Sequence, residues 1–317
     1  MELDSVKPVD KPRVAPALGL LFAIIMVSTS AIFIRFAQTG APSLAIAAWR
    51  LSIASLILVP IAWVQKKEEI KRLDRKTVSL LVLSGIFLCF HFASWISSLE
   101  YTSVASSVVL VTTSPLWVAI LSPVVLHERL DKAVWIGLLV AIVGSVIVGG
   151  SDACQVSAGG LDCSGFNSFL RGQALWGNFL ALVGAWCVAG YLLIGRWVRP
   201  NISLLAYTGI VYGVAAVGLL GIAIGSGTRM VGFSPEIYLW FLMLALVPQL
   251  LGHSTYNWAL RYLSAAYVSV GALGEPIAAS LLAFIILKEA PTILEIVGGG
   301  LILIGIYLAA QVKPSRV

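Results

Sequence analysis

The sequence predicts an all-α membrane protein of ten transmembrane helices, arranged as two inverted five-helix repeats. Three observations predict it. The 317 residues are 59% hydrophobic and 11% charged, with a mean hydropathy of +0.96, whereas a soluble domain carries about 25% charged residues. Ten apolar runs divide the chain, each near the ~20 residues that a helix needs to cross a bilayer. One stretch of the second half also repeats a stretch of the first, without a gap, 161 positions later.

The runs lie roughly at 17–37, 43–65, 77–99, 101–126, 131–150, 172–195, 202–225, 235–258, 263–287 and 291–311. Their breaks carry turn or charge signals: Gly40-Ala41-Pro42, the segment Lys66 to Lys76, His127-Glu128-Arg129 and Arg199-Pro200-Asn201. Helices are required because lipid cannot satisfy an open backbone. A barrel would instead show alternating ten-residue segments. The polar residues 1–16 precede a run long enough to span, with no small-residue cleavage site clearly placed behind it, so the first run is expected to be retained.

Charge sets the orientation. With the N-terminus inside, the inner side collects Lys7, Lys11, Arg13, Lys66, Lys67, Lys71, Arg72, Arg75, Lys76, Arg129, Lys132, Arg196, Arg199, Arg261, Lys313 and Arg316, sixteen of the 21 Lys and Arg. The outer side receives Arg171, Arg229 and Lys288, while Arg35 and Arg50 fall within or at the ends of spans. This asymmetry places both termini in the cytoplasm of a multi-pass protein of the cell (inner or plasma) membrane. The net charge of +6 therefore reads as topology, and a nucleic-acid partner is not expected. The same topology puts Cys154 and Cys163 in the outer loop, where an oxidising face favours a disulfide over two free thiols.

The repeat places Ser264–Glu289 on Ser103–Glu128. Pro276 falls on Pro115, Tyr262 on Tyr101, Gly298 on Gly137 and Gly305 on Gly144. In the first and sixth runs, Gly19 lies on Gly177 and Ala31 on Ala189 at an offset of 158. The chain is thus read as a first five-helix repeat (1–150), an extracytoplasmic loop (151–171) and a second repeat (172–311). Five is odd, so the second half enters the membrane in the opposite sense, a common plan of secondary transporters.

The line YTSVASSVVLVTTSPLWVAILSPVVLHE, its copy YLSAAYVSVGALGEPIAASLLAFIILKE, and APSLAIAAWRLSIASLILVP with Pro42 and Arg50 resemble the drug/metabolite transporter superfamily, specifically the EamA-type ten-span permeases. The resemblance covers 17–311 apart from the loop. It implies a solute carrier, commonly an exporter of amino acids or related metabolites. It also implies a core of the third, fourth, eighth and ninth helices around a central cavity, with the fifth and tenth peripheral.

Glu275 is the first candidate for substrate binding or coupling. A carboxyl group inside an apolar span is costly and is a functional-site hypothesis by default; it could carry a proton or bind solute. The alternative is a structural carboxyl held by backbone groups that Pro276 frees. Its repeat position is Ser114, so the charge belongs to one half only. Arg50 is its expected cationic neighbour: it lies ~10 Å below the outer end of its helix and Glu275 ~18 Å below the outer end of its own. Snorkelling is the alternative for Arg50, and is the expectation for Arg35.

His91 and His253 sit at neighbouring repeat positions and are candidate proton carriers, or simply hydrogen-bonded packing. Trp95 falls on Tyr256, and the two could gate a cavity from opposite ends or belong to the interfacial aromatic belt. Asn257 and Gln249 are further polar groups expected to line it. Thr112-Thr113-Ser114 could bind a polar solute or hold helices together. Glu128 and Glu289 read as end-of-helix residues, and the glycines of the fifth and tenth runs as packing or a dimer contact.

The function expected is secondary transport, with export the favoured direction, of small polar metabolites such as amino acids, by alternating access and with protons as a candidate partner. No nucleotide motif is present, no cofactor is expected, and no ligand cluster suggests a metal. The expected partners are a small solute and the bilayer, with the chain a monomer or homodimer. A flippase for lipids or lipid-linked sugars is the alternative. An intramembrane enzyme lacks any nucleophile–base set or HExxH, and no aspartate falls inside a span.

Overall fold

The computed structural model describes residues 12, 14–102, 104–126, 131–150, 154–157, 160–163, 172–287 and 292–310. Helix occupies each of the ten apolar runs. Seven helical segments among the described residues are long and apolar enough to cross a membrane, and shorter apolar helices lie in the other three runs.

The helices are α1 (Pro16–Gln38), α2 (Ser43–Lys71), α3 (Arg75–Ser98), α4 (Val104–Val111), α5 (Ser114–Val125) and α6 (Lys132–Gly150). In the second half they are α7 (Gln173–Val198), α8 (Leu204–Gly225), α9 (Pro235–Ala259), α10 (Ala265–Ala272), α11 (Glu275–Leu287) and α12 (Ile293–Ala310). Between α6 and α7, strands β1 (Gln155–Ser157) and β2 (Gly160–Asp162) pair antiparallel, and Cys154 is bonded to Cys163 beside them.

Local chemistry sets the boundaries. Pro16 starts α1 where a missing N–H costs nothing. Asp74 caps α3 by accepting from the Thr77 N–H at 3.2 Å, and those Thr77 hydrogen bonds hold its carboxyl below the usual range. Ser264 caps α10 by accepting from Tyr267 N–H at 3.1 Å. One boundary differs from expectation. The break expected from Lys66 begins only as a kink there, and α2 continues to Lys71. Its tail is held because Glu69 Oε1 accepts from the Ser203 N–H at 2.6 Å, at the start of α8.

Two helices are interrupted at equivalent places. The turn Thr112–Thr113 separates α4 from α5, and Leu273–Gly274 separates α10 from α11, 161 residues on. Pro115 and Pro276 follow these turns by two positions, and a proline cannot donate to the carbonyl four residues back. In the second half only, α9 widens into a π-helical segment over Ala245–His253, with Pro248 inside it.

Packing is reciprocal across the halves. Repeat-equivalent helices meet each other at α2–α8 and α6–α12, α5 packs on α10 as α11 packs on α4, and α3 packs on α7 as α1 packs on α9. That is the pattern of a two-fold axis between the halves. The fifth and tenth helices of the sequence reading, α6 and α12, cross through glycine. A Cβ at Gly144 would lie 2.5 Å from the Gly298 carbonyl oxygen, and one at Gly305 would strike that of Gly137. These glycines serve a contact within the chain, so they are not free to form the dimer contact weighed from sequence. Large apolar side chains such as Leu56, Val64, Val124, Val217 and Leu281 point outward and are well exposed, as a lipid-facing surface requires.

The repeat register of the first span is corrected by side-chain bonds. Arg35 donates from Nη1 to Leu99 O at 3.0 Å, and Arg196 donates from Nη1 to Leu260 O at 3.2 Å. Gln38 donates to Ile96 O at 3.3 Å as Arg199 donates from Nε to Asn257 O at 2.9 Å. Donors and acceptors are all 161 apart, so α1 matches α7 at that offset and not at 158. The glycine match had favoured small residues on a helix face, one turn out of step. Arg35 is therefore a helix-end cap, not a snorkelling residue, and Arg199 is buried in the same role. Glu128 and Glu289 lie outside the described residues.

The glycine crossing is testable. Gly144→Val or Gly305→Val should overpack α6 against α12, costing about 1–3 kcal/mol. Each should lower the melting temperature in detergent, while Gly300→Ala, which meets open space on the same helix, should leave it unchanged.

Candidate functional site

A small cavity lies where the two interrupted helices meet. Its walls come in repeat pairs: Val27 with Val188, Trp95 with Tyr256, Val111 with Ala272, and Ser114 with Glu275. Each pair is 161 residues apart, so the cavity straddles the axis that relates the halves. Val111 and Ala272 are the residues whose carbonyls lose a donor to Pro115 and Pro276. The walls of α1 and α7 extend the core implied by the family resemblance beyond α3, α4–α5, α9 and α10–α11.

The cavity holds about 50 Å³ for the centres of water-sized molecules. One water needs ~10–15 Å³ on that measure. A few waters fit, and a metabolite requires the walls to part. Two larger grooves, between α1 and α10–α11 and between α2 and α8, have almost wholly apolar walls and open toward the lipid-facing side. The small cavity, not these, gathers the polar groups.

Six of the eight residues expected at the site line this cavity together: Glu275, His91, Trp95, Tyr256, Ser114 and His253. Tyr256 OH donates to Glu275 Oε1 at 2.6 Å. Tyr256 is thus the hydrogen-bond partner of the carboxyl group. His91 Nδ1 lies 2.9 Å from Gly184 O. A carbonyl only accepts, so Nδ1 carries the hydrogen, and neutral His91 keeps Nε2 as an acceptor. The rings of His91 and Trp95 stack at 5.8 Å, and those of His91 and His253 meet at 6.4 Å. Thr112 and Thr113 donate to their own helix, at Val108 O (2.8 Å) and Leu110 O (2.7 Å).

Arg50 and Asn257 do not reach the cavity. Arg50 is fully buried, so it does not snorkel. It donates from Nη1 to Ser30 Oγ at 2.7 Å and from Nε to Gln249 Oε1 at 2.8 Å, and its guanidinium lies 4.2 Å from the centre of the Phe92 ring. Among the described residues it forms no ion pair with Glu275. Depth along a helix axis had suggested the pairing, but the azimuth of Arg50 on α2 turns it against Phe92, Ser30 and Gln249. Asn257 donates to the Tyr191 and Tyr212 hydroxyls and to His253 O, and Gln249 is buried beside Arg50. Both expectations of cavity lining are corrected to a supporting network.

That network was missed from sequence. Tyr191 lines the cavity, and Tyr207 and Tyr212 are buried behind it. The available signal was three tyrosines within otherwise apolar spans, whose hydroxyls need partners when buried. The network leaves Arg50 Nη2, Gln249 Nε2 and Asn257 Oδ1 without partners, and Trp95 Nε1 likewise.

Comparison with known proteins follows the same lines. The EamA-like transporter family matches residues 15–150 and again residues 175–311. An uncharacterized transporter of Archaeoglobus fulgidus is 25% identical over 91% of this chain and 96% of its own length. An S-adenosylmethionine uptake transporter of Rickettsia bellii is 29% identical over 40% of this chain and 43% of its own. A solved crystal structure matches with a TM-score of 0.70 at 19% identity, covering 93% of this chain and 96% of that one. It shares the fold.

Arg50→Met should destabilise the protein by about 1–3 kcal/mol for each buried partner left unsatisfied, here Ser30 and Gln249. Arg50→Lys should recover only part of the loss, since a single ammonium cannot reproduce the planar fork. Thermal unfolding in detergent micelles measures both.

Proposed function

The chain belongs to the EamA-like transporter family, within the drug/metabolite transporter superfamily, and from that premise we propose a secondary carrier of small polar metabolites such as amino acids. It is a multi-pass membrane protein with several apolar membrane-length helices. In the proposed cycle the solute sits in the central cavity and the halves exchange conformations, so the cavity opens to one side and then the other. Export is the direction we favour, in the cell membrane with both termini cytoplasmic.

The observation that carries this reading is the cavity on the axis, with walls in repeat pairs. A site on such an axis meets equivalent helices toward either face, which is what alternating access needs. Soluble solutes are favoured over lipid-linked ones because the polar groups line the small cavity, whereas the lateral grooves are apolar. The partial relative named for S-adenosylmethionine uptake also supports a polar metabolite, although its named direction is opposite to export.

Coupling to protons is the second part of the proposal. Glu275 is the one carboxyl group among the lining residues, with His91 and His253 on the same walls. A proton on Glu275 would alternate with solute or accompany it. Glu275→Gln keeps the hydrogen bond from Tyr256, since an amide oxygen also accepts, but cannot titrate. It should slow transport at least ~10-fold, the lower range for loss of a positioned proton carrier, and flatten the pH dependence in proteoliposomes. An unchanged pH profile in that variant would mean that protons do not couple through Glu275.

The reading as a whole is tested by comparing intracellular and extracellular metabolite pools with and without overexpression. A defined set of polar metabolites should move to the medium. No change in any pool, with the protein present in the membrane, would remove the carrier reading.

A further inference from the structure

We propose that the cavity recognises its solute by a cationic centre, an ammonium or other onium group, seated between the Glu275 carboxyl and the aromatic walls. The proposal rests on the carrier reading and adds the charge class of the solute.

The first argument is charge. Among the described residues no lysine or arginine lines the cavity, and Glu275 is the single carboxyl group there. Arg50 lies against Phe92, outside the cavity lining, with two donors spent on Ser30 and Gln249, so it reaches the solute only through space, where its effect falls with distance. A carboxylate in an apolar site requires a counter-charge, and the lining supplies none permanently.

The second argument is hydrogen-bond polarity. Neutral His91 offers Nε2 as an acceptor, because Nδ1 donates to Gly184 O. Tyr256 has given its hydrogen to Glu275. The inward polar groups are therefore mainly acceptors, matched to a solute that donates or is positive. Trp95 Nε1–H, on a side chain only 5% exposed, has no partner and suits one acceptor atom on the same solute.

The third argument is the wall material. The stacked His91 and Trp95 rings and the Tyr256 ring line the same cavity as Glu275. Aromatic faces attract cations, most of all when water is excluded. Carboxylate and rings together select an onium group over a neutral group of equal shape.

A shape-matched ligand series tests this on the full-length protein in nanodiscs. The probes are 3,3-dimethylbutylamine and choline as cations, 3,3-dimethylbutanol as the neutral form and 3,3-dimethylbutanoate as the anion. Binding is followed by thermal shift and equilibrium binding. At least one cation should bind ~10-fold or more tighter than the alcohol, and the anion weakest of all. Glu275→Gln should abolish the preference and Glu275→Asp retain it.

Equal binding of alcohol and cations, preference for the anion, or no cation bound below ~10 mM overturns the proposal. The series on unmodified protein decides it even where a variant fails to fold. Metabolite export that persists without cation preference defeats this inference alone, whereas absence of any export defeats the carrier reading beneath it.

Discussion

A proline placed halfway along an apolar helix leaves a backbone carbonyl without its donor, and lipid offers no replacement. Pro115 and Pro276 impose that constraint twice, at equivalent positions. The structure meets it by bringing the two interruptions together inside the protein, with Val111, Ala272, Ser114 and Glu275 on the walls of one cavity. Irregular backbone at membrane depth is tolerated where it lines a cavity or is buried in protein. The two helix interruptions and the cavity that gathers Glu275, His91, His253 and Tyr256 are therefore the same place.

On this near-symmetric frame, the second half carries most of the chemistry. At matched positions Ser114 faces Glu275, Phe92 faces His253 and Ser30 faces Tyr191. The π-helical segment of α9 is a further asymmetry, since α3 is α-helical throughout. A π segment inside a longer helix often marks a functional site. Here it holds Gln249 and His253, which belong to the network behind the cavity and to its wall respectively. The first half contributes His91, Trp95, Thr112 and Ser114 to the walls, and the second half contributes the carboxyl group with Tyr191, His253 and Tyr256.

Much of this was legible in the sequence. The offset of 161 located the interrupted helices, and Glu275 against Ser114 marked the asymmetric group. Six of the eight expected site residues line one cavity because charge, ring and hydroxyl groups are few inside apolar runs. What was not legible depended on rotation about a helix axis. Depth arithmetic placed Arg50 near Glu275 but could not say that its side chain turns to Ser30, Gln249 and Phe92. Glycine matching set the first span one turn out of register, while the hydrogen-bonded pairs Arg35–Leu99 and Arg196–Leu260 could be recognised only once acceptor carbonyls were known. The π-helical winding has no hydrophobic period of its own, and Pro248, opposite Phe87 in the first half, was its one visible sign.

Arg50 shows how a group outside the cavity can still govern it. Its hydrogen bonds join Ser30 in the first half to Gln249 in the second. Both bonds cross low-dielectric interior, where charge-assisted bonds are strong and unmet partners costly. A movement of the halves about the cavity must either carry Ser30, Arg50 and Gln249 together or break one of these bonds. The bond to Ser30 lies within the first half, so the cheaper path keeps it and makes the Gln249 bond the one to yield. Gln249 sits in the π-helical segment, where the regular helical hydrogen-bond pattern is already relaxed. The contact that ties the halves most deeply is thus anchored in the part of the second half best able to adjust its winding.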